Sequence, residues 1–79
     1  MNLCELLYAR VQAMARSTKG KPWQHAMAFE YARRAYLKVL SLDRDCQEAT
    51  LMRAEIEMAW PEFPLDICEA DVLKITNLT

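Results

Sequence analysis

The run Phe29-Glu30-Tyr31-Ala32-Arg33-Arg34-Ala35-Tyr36-Leu37-Lys38-Val39-Leu40-Ser41-Leu42-Asp43-Arg44-Asp45 contains neither glycine nor proline before it reaches a polar turn. At 100° per residue, Ala28, Phe29, Ala32, Ala35, Tyr36, Val39 and Leu40 fall on one broad arc, joined upstream by His25. Glu30, Arg34, Lys38 and Ser41 take the opposite side. That is the pattern of an amphipathic helix with one buried face. Ser41-Leu42-Asp43-Arg44-Asp45 supplies the short polar side chains of a turn into a further helix.

Upstream, Leu3, Leu7, Val11 and Met14 form a helical stripe, with Asn2 placed to cap it. Ser17-Thr18-Lys19-Gly20-Lys21-Pro22 interrupts the pattern with the only glycine, and Pro22 suits the first turn of a new helix. Downstream, Ala49, Met52, Ile56 and Trp60 line one face of a third helix that Pro61 closes. Pro61-Glu62-Phe63-Pro64 is then a stiff connector, after which Asp66 can cap a short final helix carrying Ile67, Ala70 and either Leu73 or Val72. The reading predicts one all-α domain over 1–79, with helices over about 3–16, 22–42, 46–60 and 66–75.

The whole chain supports that class. Its 79 residues are 53% hydrophobic with 1 Gly and 3 Pro, enough for a single core and too few breakers for a many-stranded sheet. Net charge is -1, which gives no overall attraction to nucleic acid or an anionic membrane. The balance is uneven, however: residues 1–44 hold eight Lys/Arg and three acids, whereas residues 45–79 hold two and eight. Such complementary halves can pack within one molecule or between two copies. Cys4, Cys46 and Cys68 form neither a disulfide framework nor a zinc spacing, which favours a reducing compartment. With no apolar leader or run of membrane-spanning length, a cytoplasmic protein is expected.

The order of residue types from Phe29 to Asp45 resembles the second helix of a tetratricopeptide repeat (TPR) and the turn that follows it. Phe29, the small Ala32, Tyr36, the Val39-Leu40 pair and Leu42-Asp43 carry the likeness, and Glu48 to Ala54 resembles the opening of the next repeat. Thr50 stands where an aromatic is common, Arg53 where Leu is usual, and Arg44 where Pro often ends the turn. About one and a half repeats are covered; other small helix-hairpin domains and generic three- or four-helix bundles share much of the pattern. The resemblance implies a TPR-like helical array that binds proteins through the first helix of each repeat. The matching positions are Leu3, Leu6, Arg10 and Met14 on the first helix and Leu51, Glu55 and Met58 on the third.

The third helix points to the same place on independent grounds. Leu51 and Met58 lie about 140 to 180° from the face that meets the core, so a second surface must cover them. That cover is either the final segment, through Ile67, Val72 and Leu73, or a partner helix or peptide, for which methionines give adaptable contacts. The expected function is therefore a small adaptor, chaperone or inhibitor that binds a protein partner, a second copy, or both. The alternative is a nucleic-acid-associated regulator using Trp23, Met27, Tyr31, Arg34 and Lys38, with Lys19 and Lys21 nearby. No phosphate loop, metal-ligand spacing or convergent acid pair suggests an enzyme or a cofactor, and His25 reads as a packed histidine bonded near the Lys19 loop.

Ala32→Leu should overpack the helix crossing at a cost of about 1–3 kcal/mol, and Tyr36→Ala should cost about 3–5 kcal/mol through cavity formation. Thermal melts check both; unchanged curves would mean the central helix is rotated from this phase.

Overall fold

A computed structural model describes residues 2–67, 70 and 72. Within them the chain forms α1 (Leu3–Ser17), a 3-10 turn (Pro22–Gln24), α2 (His25–Leu42) and α3 (Gln47–Ala59). No strand occurs among the described residues, so the all-α class holds. The predicted final helix over 66–75 falls largely outside them; Asp66 and Ile67 are not helical, whereas Ala70 and Val72 are. Leu73 lies outside the described residues.

Local chemistry sets the ends of these helices. The Asn2 side-chain oxygen accepts from the Glu5 N–H at 2.8 Å, and its amide donates to the Glu5 carboxylate at 3.3 Å. This reciprocal cap satisfies one of the donors that a helix start leaves open, with an acid where the macrodipole favours it. At the other end the Thr18 N–H and hydroxyl both donate to the Met14 carbonyl, at 3.0 and 2.9 Å. Gly20 then turns the chain at φ +77, a conformation that side chains with a Cβ resist. Pro22 opens the 3-10 turn that leads straight into α2. Between α2 and α3, the Asp43 carboxylate accepts from the Asp45 N–H at 3.1 Å, a side-chain-closed turn. Neither α2 nor α3 has a side-chain N-cap, so both starts lean on packing.

Each of the three helices packs on the other two. Val11 of α1, Val39 of α2, and Met52 and Ile56 of α3, together with Trp60 just past its end, are fully buried. Sealing each aliphatic side chain away from water contributes roughly 1.5–3 kcal/mol before chain entropy is counted. Ala28, Ala32 and Ala35 on α2 and Ala49 on α3 are buried as well, and their small side chains let the helices approach. Phe29 and Tyr36 fill the space beside them. The expected arc of α2 is thus the buried one. Leu37 departs from it: about 140° from Ala32, it is nonetheless 3% exposed. Leu37 and the buried Val72 both stand outside the cluster that the three helices form.

Trp60 closes the core. Its indole N–H donates to the Thr18 hydroxyl at 3.1 Å, 42 residues away in sequence, tying the end of α3 to the end of α1. After Pro61 the connector passes over α2, where Phe63 stacks on Phe29 with ring centroids 5.2 Å apart. Leu65 and Ile67 continue against the same core.

Thr18→Val keeps the shape of the side chain but strands a buried indole donor, and should cost about 1–3 kcal/mol. Urea denaturation should show a lower midpoint with an unchanged slope; an unchanged midpoint would mean that the bond to Trp60 contributes nothing.

Candidate functional site

The α1 residues assigned to partner binding, Leu3, Leu6, Arg10 and Met14, fall on one side of that helix. Taking Leu7 as the centre of its buried face, Leu3, Leu6 and Arg10 lie to one side and Cys4, Tyr8 and Ala15 to the other. The second side is the one that meets α3: the Cys4 thiol interacts with Cys46, and Ala15 lines a groove together with α3 residues. Leu3, Leu6 and Arg10 are exposed on the flank away from that groove, and Met14 is half-buried against the core.

The groove itself has a volume of about 430 Å³. Ala15 and Arg16 come from α1, Thr18, Lys19 and Gly20 from the connection to α2, His25 from the start of α2, and Glu55, Met58 and Ala59 from α3. Two of the expected partner-binding residues, Glu55 and Met58, therefore share one concavity, and Leu51 lies one helical turn from Glu55 and two from Met58 on the same flank. Met58 is 82% exposed and Leu51 38%. The connector leaves Met58 open and lies on α2 instead, because Phe63 finds an aromatic partner there.

His25 holds the floor of the groove in place. One ring nitrogen, Nε2, is 3.1 Å from the Thr18 carbonyl, and Nδ1 is 2.6 Å from the Glu62 carboxylate. Both contacts require the ring to donate, so the geometry is satisfied by the imidazolium. The hydrogen bond to Glu62 accordingly raises the His25 pKa, helped by the Thr18 carbonyl and opposed by partial burial. The same bond lowers the pKa of Glu62. This is the packed histidine that the sequence suggested, now with its partners, and it pins the α1–α2 connection to the residues that follow α3.

Cys4 is half-buried, and burial pushes its thiol up, with Cys46, Glu48 and Asp43 adding to the effect. A thiol held protonated in this way is a poor nucleophile. Cys68 lies outside the described residues. No group of three or more His, Cys, Asp or Glu side chains is arranged to hold a metal ion among the described residues. No helix among them is long and apolar enough to cross a membrane.

The other surface that the sequence suggested is also exposed. Trp23 in the 3-10 turn, at 74%, and Met27, at 81%, and the less open Tyr31 on the outer side of α2 stand at four-residue intervals. Arg34 beside them is 3.2 Å from Glu30 in an ion pair one turn apart, and Lys38 is half-buried. Arg16 and Lys19, in contrast, were missed as groove residues. Their only sequence signal is a pair of cations flanking the end of a helix just before the single glycine.

The His25–Glu62 pair fixes a pH dependence. A raised histidine pKa stabilises the fold fully below the unfolded value of about 6.5 and loses that contribution as pH rises through the folded value. A lowered glutamate pKa contributes above the unfolded value of about 4.3 and is lost as pH falls through the folded one. Thermal stability should therefore decline as pH climbs past about 6.5, and His25→Gln should flatten that decline. A wild-type profile identical to that of the variant would contradict the pair.

No protein-family model matches the chain, and no curated protein or solved structure matches it.

Proposed function

We propose that this chain is a TPR-like helical array that works as a protein-interaction module, a small adaptor, chaperone or inhibitor, with its docking surface on the Leu51, Glu55 and Met58 flank of α3. The observation that carries the reading is Met58: a large, flexible apolar side chain, 82% exposed, at the edge of a groove whose Thr18 and His25 lining is held by hydrogen bonds. A domain that seals Trp60, Met52 and Ile56 completely has no folding need to leave Met58 in water. Methionine at such a place gives adaptable contact with a partner helix or extended segment.

The repeat-like reading draws support from small residues at the helix crossings and from buried Phe29 and Tyr36 between them. Of the α1 residues implied by the resemblance, Leu3, Leu6 and Arg10 form a separate exposed flank, so the proposed docking surface meets α1 through Ala15 and Arg16 instead. A homodimer through this surface and a complex with another protein are both compatible with the reading.

The nucleic-acid alternative keeps one specific observation, the exposed Trp23, Met27 and Tyr31 row. Its cations are weaker than its aromatics: Arg34 is engaged by Glu30, and the chain as a whole carries -1.

Affinity capture with mass identification, using the wild type beside a Leu51→Glu, Met58→Glu double variant, tests the proposal. Substitution at exposed positions should change stability by no more than about 0.5 kcal/mol per site, so melting should hold while the captured partner is lost. A double variant that keeps its partner, or a wild type that captures single-stranded oligonucleotide with a steep salt dependence, would overturn it.

A further inference from the structure

The groove beside Met58 has a charge pattern as well as an apolar lining. Arg16 stands in the last turn of α1 and Lys19 two residues beyond that helix, both exposed and both on the groove wall. Neither makes an ion pair or a side-chain hydrogen bond with another described residue. Glu55 lines the opposite wall, yet no ion pair joins it to either cation. Between them the Gly20 N–H also has no acceptor among the described residues, because the turn bonds run from the Lys19 N–H to Arg16 and from the Lys21 N–H to Thr18. An added Cβ at Gly20 would meet nothing within 4 Å, so the backbone here is open to an approaching group.

His25 does not compete for this role. Its two ring nitrogens are already engaged by Glu62 and the Thr18 carbonyl, which leaves Arg16, Lys19 and the Gly20 N–H as the free donors. The donors lie on one wall and the apolar surface of Ala15, Met58 and Ala59 lies beside them. Resting on the protein-binding reading, we infer that the groove receives a partner segment in which an Asp or Glu stands next to a large apolar residue. The carboxylate meets Arg16, Lys19 and the Gly20 N–H, while the apolar side chain packs on Met58 and Ala59. Glu55 on the far wall sets the polarity, since it repels a segment inserted with its acid on the α3 side. Arginine supplies a fork that matches a carboxylate in two bonds, and lysine a movable point charge beside it.

Random-peptide display against the intact chain provides the test, with the selected peptides then titrated against an Arg16→Glu, Lys19→Glu variant and against Met58→Glu. The selected peptides should carry an acid beside Leu, Phe or Met. Their affinity should fall about tenfold or more in the doubly reversed variant, and it should weaken with salt. Melting curves of both variants should match the wild type, because all three side chains are exposed. Peptides that depend on Met58 but not on Arg16 and Lys19 would overturn this inference while leaving the docking surface standing. Peptides indifferent to every substitution, or no selection at all, would overturn both. A salt-sensitive dimer of the chain that the charge reversal dissolves would give the site to a second copy and overturn the assignment to a partner segment.

Discussion

The buried bond between the Trp60 indole and the Thr18 hydroxyl is the constraint on which the rest of the molecule turns. Thr18 spends its two hydrogen-bonding capacities in opposite directions: its hydroxyl donates to Met14 to end α1 and accepts from Trp60 to end α3. The same residue's carbonyl accepts from the Lys21 N–H and from His25, fixing the turn and the start of α2. Three helix ends therefore meet at one residue that is almost wholly buried. A side chain of Trp60's size could sit in the core for its area alone, but its polar edge would then lack a partner; Thr18 removes that penalty and selects a single arrangement.

From this knot the groove follows. Because the connection from α1 to α2 is held down at Thr18 and His25, the residues just outside it, Lys19 and Gly20, are presented at a fixed place beside α3. Because α3 is held by Trp60 and by the burial of Met52 and Ile56, its remaining flank, with Leu51, Glu55 and Met58, is fixed toward the same side. The concavity is the gap between these two edges.

The helices were legible in the sequence because each carries helix-spaced apolar residues between recognisable breakers. The α2 arc from Ala28 to Val39 is buried as its spacing required, and Met52, Ile56 and Trp60 face inward together. What could not be read was which flank of the α1 stripe, whose Leu7 and Val11 are buried, meets α3. Leu3, Cys4, Leu6, Leu7, Tyr8, Ala9, Val11, Ala13, Met14 and Ala15 spread apolar residues over most of its circumference, so periodicity alone leaves open which flank meets α3. Leu37 was hidden for a related reason: it is buried although it lies about 140° from Ala32, off the arc that periodicity marks as the inner face. Thr18 and Arg16 were hidden because a loop residue's burial and a cation's placement arise from contacts distant in sequence. Met58 was legible, since an apolar residue on the wrong side of its own helix is conspicuous before any fold is known.

The separation of 42 residues between Thr18 and Trp60 has a kinetic meaning. During synthesis α1 and α2 can pair as soon as the turn at Gly20 is made, but the Thr18 hydroxyl and the apolar arc of α2 have no third helix to meet until Trp60 has emerged. For that interval the nascent chain is a two-helix hairpin with an open seam, its start capped by Asn2 and its turn closed by Thr18. Contacts at such range are slow to search for and late to be rewarded. The part of the core made late, α3 with Trp60 and then Phe63, Leu65 and Ile67, is thus the one that converts a sticky hairpin into a closed domain.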